Sequence, residues 1–78
     1  MEENLKKVFR ARLMQAMEET SVTQAELARR TGCGKENIHY YLHGRQVPNF
    51  YKAYAIARAL GVDLYWLMGV EEKDEKEG

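Results

Sequence analysis

The sequence predicts an all-α fold, a bundle of five short helices. Three observations support this prediction: apolar residues recur at helical spacing in successive segments, capping residues and glycines separate these segments, and no segment alternates between apolar and polar residues as a β-strand does. With 78 residues, of which 45% are apolar and 31% charged, the chain has a globular composition and the length of one domain. We therefore expect one small helical domain.

The first predicted helix covers residues 4–19. Charged residues occupy one of its faces and apolar residues the other, which is the pattern of an amphipathic helix packed on a core. The sequence Thr20-Ser21-Val22 interrupts this pattern. The apolar residues that recur at helical spacing are Leu5, Val8, Phe9, Leu13, Ala16 and Met17.

The second and third predicted helices are joined by a tight turn. Thr23 and Glu26 have the spacing of a capping box, in which each side chain satisfies a free backbone N–H group near the helix start. This helix ends at Gly32, and the turn over residues 32–34 holds two glycines, which permit backbone angles that other residues disfavour. The third helix covers about residues 35–43, and its inward positions are Ile38, Tyr41 and Leu42.

The fourth predicted helix covers about residues 50–60. Asn49 is a good N-cap for it, and Gly61 stands at its C-terminal cap position. The residues of this helix that we expect to face the core are Phe50, Ala53, Ile56, Ala57 and Leu60.

The fifth predicted helix is short, and an acidic segment follows it. Asp63 caps residues 64–68, and Gly69 ends the helix. Residues 71–78 hold five acidic and two basic residues, a net charge of −3, whereas residues 1–70 carry +3, so the whole chain is neutral. A modestly basic body with an acidic tail is compatible with nucleic-acid binding. We expect residues 1–70 to form the domain and residues 71–78 to be a disordered tail, as charge-rich termini usually are.

Composition excludes several classes of protein. One cysteine rules out a disulfide framework and a zinc site built mainly from thiolates, and it fits a reducing compartment. No apolar run approaches the roughly 20 residues of a membrane span, and the N-terminus lacks the apolar core of a signal peptide. We expect a cytoplasmic protein that does not enter a membrane.

The two central helices and the glycine-containing turn between them form the helix-turn-helix signature. Specific residues accompany this signature in order over residues 5–69: Thr23-Gln24-Ala25-Glu26-Leu27-Ala28, Gly32, Ile38, Gly44, Pro48, Ile56-Ala57-Arg58-Ala59-Leu60-Gly61-Val62 and Trp66-Leu67. Each segment alone is a weak signal, but the whole series resembles the Cro/phage-repressor-like family, also called the XRE-type helix-turn-helix family.

The resemblance implies a lambda-repressor-like bundle of five helices that binds double-stranded DNA, with the helix over about residues 35–43 in the major groove. It implies base contacts from the outward face of that helix. It also implies phosphate contacts from the start of the second helix and from the loop over residues 45–50. The residues that we expect to contact DNA are Gln24, Gly34, Lys35, Glu36, Asn37, His39, Tyr40, Arg45 and Asn49.

The chemistry of these side chains agrees with a role in reading DNA. Lys35 suits O6 or N7 of guanine, and Glu36 can accept a hydrogen bond from N4 of cytosine. Gln24 and the free N–H groups at the start of its helix suit a phosphate oxygen. The alternative is that Lys35, Glu36, His39 and Tyr40 are an ordinary solvated helix face.

The sequence departs from the family pattern in four ways. Many members have Ser or Thr where Gly34 stands, so this chain lacks a hydroxyl there. Many have an ion pair at the positions of Met17 and Leu42, and replacing both partners by apolar residues is compatible with the fold. Glu36 repels phosphate, and Lys35 is the only formal base of the third helix unless a histidine is protonated.

We expect a homodimer, because one such domain touches few base pairs. A symmetric dimer would place two recognition helices about 34 Å apart on a roughly palindromic operator. Apolar residues concentrate around the fifth helix beyond those that the core needs. The expected dimer residues are Leu64, Tyr65, Trp66, Met68 and Val70.

Other candidate residues have simpler interpretations. His39 and His43 lie four residues apart, as metal ligands can, but no third ligand follows at a recognised spacing, so we expect no metal site. Cys33 is expected to be a small buried residue rather than a redox sensor. Four aromatic residues could form a stacking platform for nucleic acid, but we favour their division between the core and a dimer surface: Tyr51, Tyr54, Tyr65 and Trp66.

The leading hypothesis is a sequence-specific, DNA-binding transcriptional regulator, a small repressor of bacterial or phage type. The alternative is a protein-interaction module on the same fold, such as an antitoxin-like or anti-repressor partner, which the zero net charge and Glu36 favour. The sequence shows no nucleophile with a positioned base and no phosphate-binding glycine loop, so we expect no enzyme. No cofactor and no small-molecule effector is implied.

Overall fold

A computed structural model describes residues 2–70 of the protein, and the expected disordered tail over residues 71–78 lies outside the described residues. The described part contains five helices and no β-strand. The all-α prediction of a five-helix bundle is therefore confirmed. The helices are α1 (Glu2–Thr20), α2 (Gln24–Thr31), α3 (Lys35–Leu42), α4 (Phe50–Leu60) and α5 (Leu64–Met68).

The predicted helix boundaries agree with the structure to within two residues. The first helix begins at Glu2 and ends at Thr20, whose hydroxyl donates to the carbonyl of Ala16 at 2.8 Å. The third helix ends at Leu42, one residue earlier than expected, because His43 has left helical geometry and forms the C-cap. None of the helices among the described residues is long and apolar enough to span a bilayer.

Side-chain caps define the starts of α2, α4 and α5. The Thr23 hydroxyl accepts from the N–H of Glu26 at 3.1 Å, and the Glu26 carboxylate accepts from the N–H of Thr23 at 3.4 Å. Asn49 and Asp63 each accept a backbone N–H bond of 2.9 Å from three residues further on. These bonds satisfy donors that a helix leaves free at its N-terminus, so each helix starts where its cap stands.

One apolar core joins the helices. The long α1 packs against α3, α4 and α5, while α2 packs against α3 and α4. Phe9 and Tyr41 meet edge to face in this core, with ring centroids 5.7 Å apart. Burial of each large apolar side chain contributes about 1.5–3 kcal/mol. The side chains with no exposed surface are Phe9, Leu13, Ala16, Leu27, Ile38, Ile56 and Leu67.

The core confirms most of the predicted inward positions and corrects one. Met17 is buried and Leu42 packs against the core. These two residues stand where many members of the resembled family have an ion pair, and both make apolar contacts here. Cys33 is buried, as expected. The prediction for Phe50 is wrong, because this residue is 65% exposed. Phe50 is the first residue of α4, and its ring stacks on that of the exposed Tyr54, with centroids 6.2 Å apart, instead of entering the core.

Candidate nucleic-acid interface

The start of α2 and the exposed side of α3 together form a shallow groove of about 350 Å³. We call it the recognition groove. It contains five of the residues that the sequence analysis assigned to DNA contact, and these five come from two different helices. The side chains that line it are Gln24, Lys35, Glu36, His39 and Tyr40.

Core packing turns this side of α3 outward. Ile38 is fully buried and Tyr41 nearly so, which fixes the rotation of the helix about its own axis. Lys35, Glu36 and His39 are then exposed, while Tyr40 is half-buried. The groove therefore presents an ammonium group, a carboxylate, an imidazole and a phenol, all of which can form hydrogen bonds with base edges.

The rings of His39, on α3, and of His43, its C-cap, lie against each other at a tilt of 35°. Their ring centroids are 4.0 Å apart, and Nδ1 of His43 lies 2.9 Å from the carbonyl oxygen of His39. The ring of His39 also meets the ring of Tyr40 edge to face. No group of three metal-ligating side chains occurs within residues 4–70. The two histidine rings thus form a packed pair at the end of α3.

The turn over residues 32–34 joins the end of α2 to the start of α3. Gly32 adopts the left-handed conformation (φ 77°), and its N–H donates to the carbonyl of Ala28, which ends α2. Gly34 is the N-cap of α3 and makes no side-chain capping bond. A β-carbon added to Gly34 would lie 3.4 Å from Oε1 of Glu36 and 3.8 Å from Nδ2 of Asn37, which is ordinary contact. A larger cap residue is therefore sterically allowed there.

The other four predicted DNA contacts do not line the recognition groove: Gly34 is the N-cap of α3 and Asn37 is half-buried on α3, while Arg45 and Asn49 lie in the loop between α3 and α4. Arg45 is exposed, and its N–H donates to the carbonyl of Tyr40 at 2.9 Å. Asn49 is exposed, but its side-chain oxygen is already occupied as the cap of α4. Only the amide NH₂ of Asn49 remains for a phosphate.

The structure places four of the five residues predicted to form a dimer surface in one groove and the fifth elsewhere. This hydrophobic groove, of about 330 Å³, lies between α4 and α5, and we call it the apolar groove. Tyr65 and Val70 are 58% and 52% exposed there, next to Phe50. Its lining residues are Pro48, Phe50, Ala53, Leu64, Tyr65, Met68 and Val70.

Trp66 does not belong to this groove. It is half-buried, packs against the core and carries the guanidinium of Arg12 over its ring at 5.2 Å. Arg12 also donates a hydrogen bond to the carbonyl of Trp66. Sequence reasoning included Trp66 because it lies on the same short helix as Tyr65. A five-residue helix turns successive side chains in different directions, and only contact with α1 distinguishes them.

The sequence analysis also missed Phe50 and Lys6 as surface candidates. Phe50 was assigned to the core by its periodicity, and Lys6 to an ordinary charged face. Lys6 instead lines a separate groove with Arg45. The one signal in the sequence was the cluster of bases early in α1, but their position relative to the loop depends on the packing of α1 against α3.

One titratable group in the core is perturbed. Burial raises the pKa of the Tyr41 hydroxyl, and the charge that Cys33 carries when ionised raises it further. Tyr41 lies behind the recognition groove, where its ring holds α3 against Phe9. This group therefore contributes to the stability of the bundle and not to the exposed surface.

Comparison with known proteins agrees with this geometry. No curated protein and no solved structure matches the chain. A protein family described as "Helix-turn-helix domain" matches residues 11–73, well over half of the chain. The matched region includes α2, the glycine turn and α3, which together form the recognition groove. This chain belongs to the helix-turn-helix domain family.

Proposed function

We propose that this protein is a sequence-specific transcriptional regulator of the Cro/phage-repressor-like (XRE) type, which binds double-stranded DNA as a homodimer. The observation that carries this proposal is the recognition groove. Five side chains expected to contact DNA share one exposed surface, and two helix starts meet beside it. This is the arrangement that inserts the second helix of the motif into the major groove.

Each part of the recognition groove has a different role in this proposal. Lys35 donates to guanine, and Glu36 accepts from the amino group of cytosine. His39 and Tyr40 lie one turn further along α3 and reach the next base pairs. Gln24, at the first position of α2, binds a phosphate oxygen together with the free N–H groups there. Base edges supply the sequence preference, and phosphate contacts orient the helix.

The apolar groove supplies the dimer contact. Tyr65 and Val70 expose apolar surface next to Phe50, and aromatic residues of this kind are enriched at protein interfaces. A second copy of the chain placed there doubles the number of base and phosphate contacts. A bound dimer needs no further activity to occlude a promoter, so we propose repression rather than activation. The role is binding, without catalysis.

The experiment that tests this function is selection from a random duplex library. The wild-type protein is expected to enrich a roughly palindromic site. Lys35→Ala and Tyr40→Phe are expected to relax the preference at single base pairs, each costing about 1–3 kcal/mol at its own position. Arg58→Ala is the control, because Arg58 lies over Tyr54 on α4 and lines a different surface. No enrichment by the folded protein at low salt would refute the proposal.

Two observations favour a second function, which the same purified protein can test. Glu36 places an acidic group on the side of α3 that would face phosphates, and the apolar groove would suit a protein partner. In this alternative the fold is a protein-interaction module, such as an antitoxin-like or anti-repressor partner. DNA binding through several phosphates weakens steeply with salt, whereas binding through an apolar surface changes much less. The salt dependence of the affinity for the tightest-binding partner therefore distinguishes the two functions.

A further inference from the structure

A third groove lies between the beginning of α1 and the loop that follows α3. Its volume is about 370 Å³, and it is more polar than the apolar groove. Lys6 comes from α1, while Arg45 comes from the loop nearly forty residues later in the chain. We call this the basic cleft, and its lining residues are Leu5, Lys6, Arg45, Gln46 and Val47.

The positive charges around the basic cleft have no acidic partner within residues 4–70. The ion pairs of that part of the chain join Glu26 to Arg29 and Arg30, on α2. Lys6 and Arg45 take part in none of them. Two cations on one concave surface, with no acidic partner among the side chains that the structure describes, favour an anionic ligand.

The basic cleft is tied to the C-terminal end of α3. Nε of Arg10 donates to the carbonyl oxygen of Leu42 at 2.9 Å. The side chain of Arg10 also lies over Gly44, where a β-carbon would be 3.4 Å from its Cδ. The last carbonyls of a helix carry partial negative charge, so an arginine there is favourable. The contact holds α1 next to the loop in a defined position relative to α3.

We propose that α1 takes part in DNA binding, with Lys6 and Arg45 holding one stretch of the phosphate backbone in the basic cleft. This inference rests on the proposed function and adds to it a contact from outside the helix-turn-helix motif. When α3 occupies the major groove, the backbone runs along the side of that groove past the loop. The two cationic side chains form ion pairs with phosphates, and the Gln46 amide donates a hydrogen bond to a phosphate or sugar oxygen. Leu5 and Val47 form the apolar wall against the deoxyribose.

The basic cleft has no feature that reads bases. Lysine and arginine bound to phosphates strengthen binding to all sequences and contribute about −0.9 each to the slope of log affinity against log salt. Removing one cation from the cleft should therefore change the slope without changing the sequence preference. An acidic peptide is the competing ligand, and the test below distinguishes it.

The test measures binding of the full chain to a fluorescein-labelled, random-sequence duplex between 50 and 200 mM salt. Lys6→Gln and Arg45→Gln are each expected to make the slope less steep by about 1, which means that wild-type protein loses about threefold more affinity than either variant over this range. Lys6→Arg should retain the wild-type slope. Arg58→Gln removes the same charge from another face and should leave the slope unchanged. Thermal unfolding of each variant checks that it is folded.

The outcomes separate this inference from the proposed function. Slopes for Lys6→Gln and Arg45→Gln equal to that of wild type would overturn the inference while leaving DNA binding by α3 intact. Failure of the wild-type protein to bind any duplex at 50 mM salt would overturn both. Binding of a synthetic peptide of residues 71–78 to wild type but not to Lys6→Gln, together with unchanged slopes, would assign the cleft to an acidic peptide and also overturn the inference.

Discussion

Gly69 lies directly against Val8, so close that a β-carbon on Gly69 would be 2.6 Å from Cγ1 of Val8. Gly69 also has φ of +83°, in the left-handed region that glycine adopts without strain. It therefore does two things at once: it ends α5, and it lets the chain after α5 touch α1. The position of the apolar groove depends on this contact, because Val70 follows directly.

The first prediction concerns this close approach. Gly69→Ala is expected to lower the free energy of unfolding by about 2–4 kcal/mol, the sum of left-handed strain and overlap with Val8. Gly61→Ala is the matched control, because Gly61 has φ of +70° and open space around it. That variant should lose only about 1–2 kcal/mol, the strain alone. Urea unfolding measures both, and equal losses would show that Val8 yields to the added methyl group.

The second prediction concerns the uncapped start of α3. Gly34→Ser is expected to raise the free energy of unfolding by a few tenths of a kcal/mol, because the hydroxyl can accept from a free N–H group. Gly34→Ala adds the β-carbon without the hydroxyl and should be about 0.5–2 kcal/mol less stable than Gly34→Ser. Urea unfolding of the two variants gives this difference. Identical stabilities would mean that Glu36 prevents the serine from capping.

The third prediction follows from the raised pKa of Tyr41. Burial raises the pKa of the Tyr41 hydroxyl in the folded state, so the folded protein disfavours the ionised form. The free energy of unfolding is therefore unaffected by this group well below about pH 10, the pKa of an unfolded tyrosine, and falls as the pH rises above it. Wild type should therefore lose more stability between pH 9 and pH 11 than Tyr41→Phe, which has no hydroxyl. Urea unfolding at the two pH values measures the difference. An equal loss in both proteins would show that Tyr41 does not ionise on unfolding in this range.

The fourth prediction concerns the apolar groove. Tyr65→Asp places a charge in the groove and is expected to weaken the dimer at least tenfold, since loss of an aromatic interface residue costs about 2 kcal/mol or more when it is a hot spot. Tyr51→Asp introduces the same charge at a residue that is 80% exposed and not part of the groove lining. Sedimentation equilibrium should show unchanged association for this control. Equal weakening by both variants would contradict this prediction and would assign the dimer surface to the outer face of α4.

Sequence reasoning succeeded where the determinants are local. The starts of α2, α4 and α5 were predicted from Thr23, Asn49 and Asp63, and all three residues form the expected capping bonds. A cap acts on N–H groups only two or three residues away, so no knowledge of the rest of the fold is needed. The periodic apolar residues of α1 likewise identified the face that packs on the core, because the period reflects the geometry of one helix.

Sequence reasoning failed where a residue's surroundings come from another helix. Phe50 follows the periodic pattern of α4 but is exposed beside α5, and Trp66 lies on α5 but contacts Arg12 of α1. The pairing of Lys6 with Arg45 in one cleft has the same origin. These placements depend on the angles and distances at which helices pack, and those depend on how all their side chains interlock.

The sequence by itself therefore determined the helical class, the starts of the capped helices, the apolar face of α1 and the helix-turn-helix motif, because each follows from contacts within a few residues or from ordered residue types. The tertiary structure decided which surfaces those helices form: the recognition groove from α2 and α3, the apolar groove from α4 and α5, and the basic cleft from α1 and the loop. The physical reason is that a surface shared by two helices is created by their packing, which joins side chains that are distant in the chain.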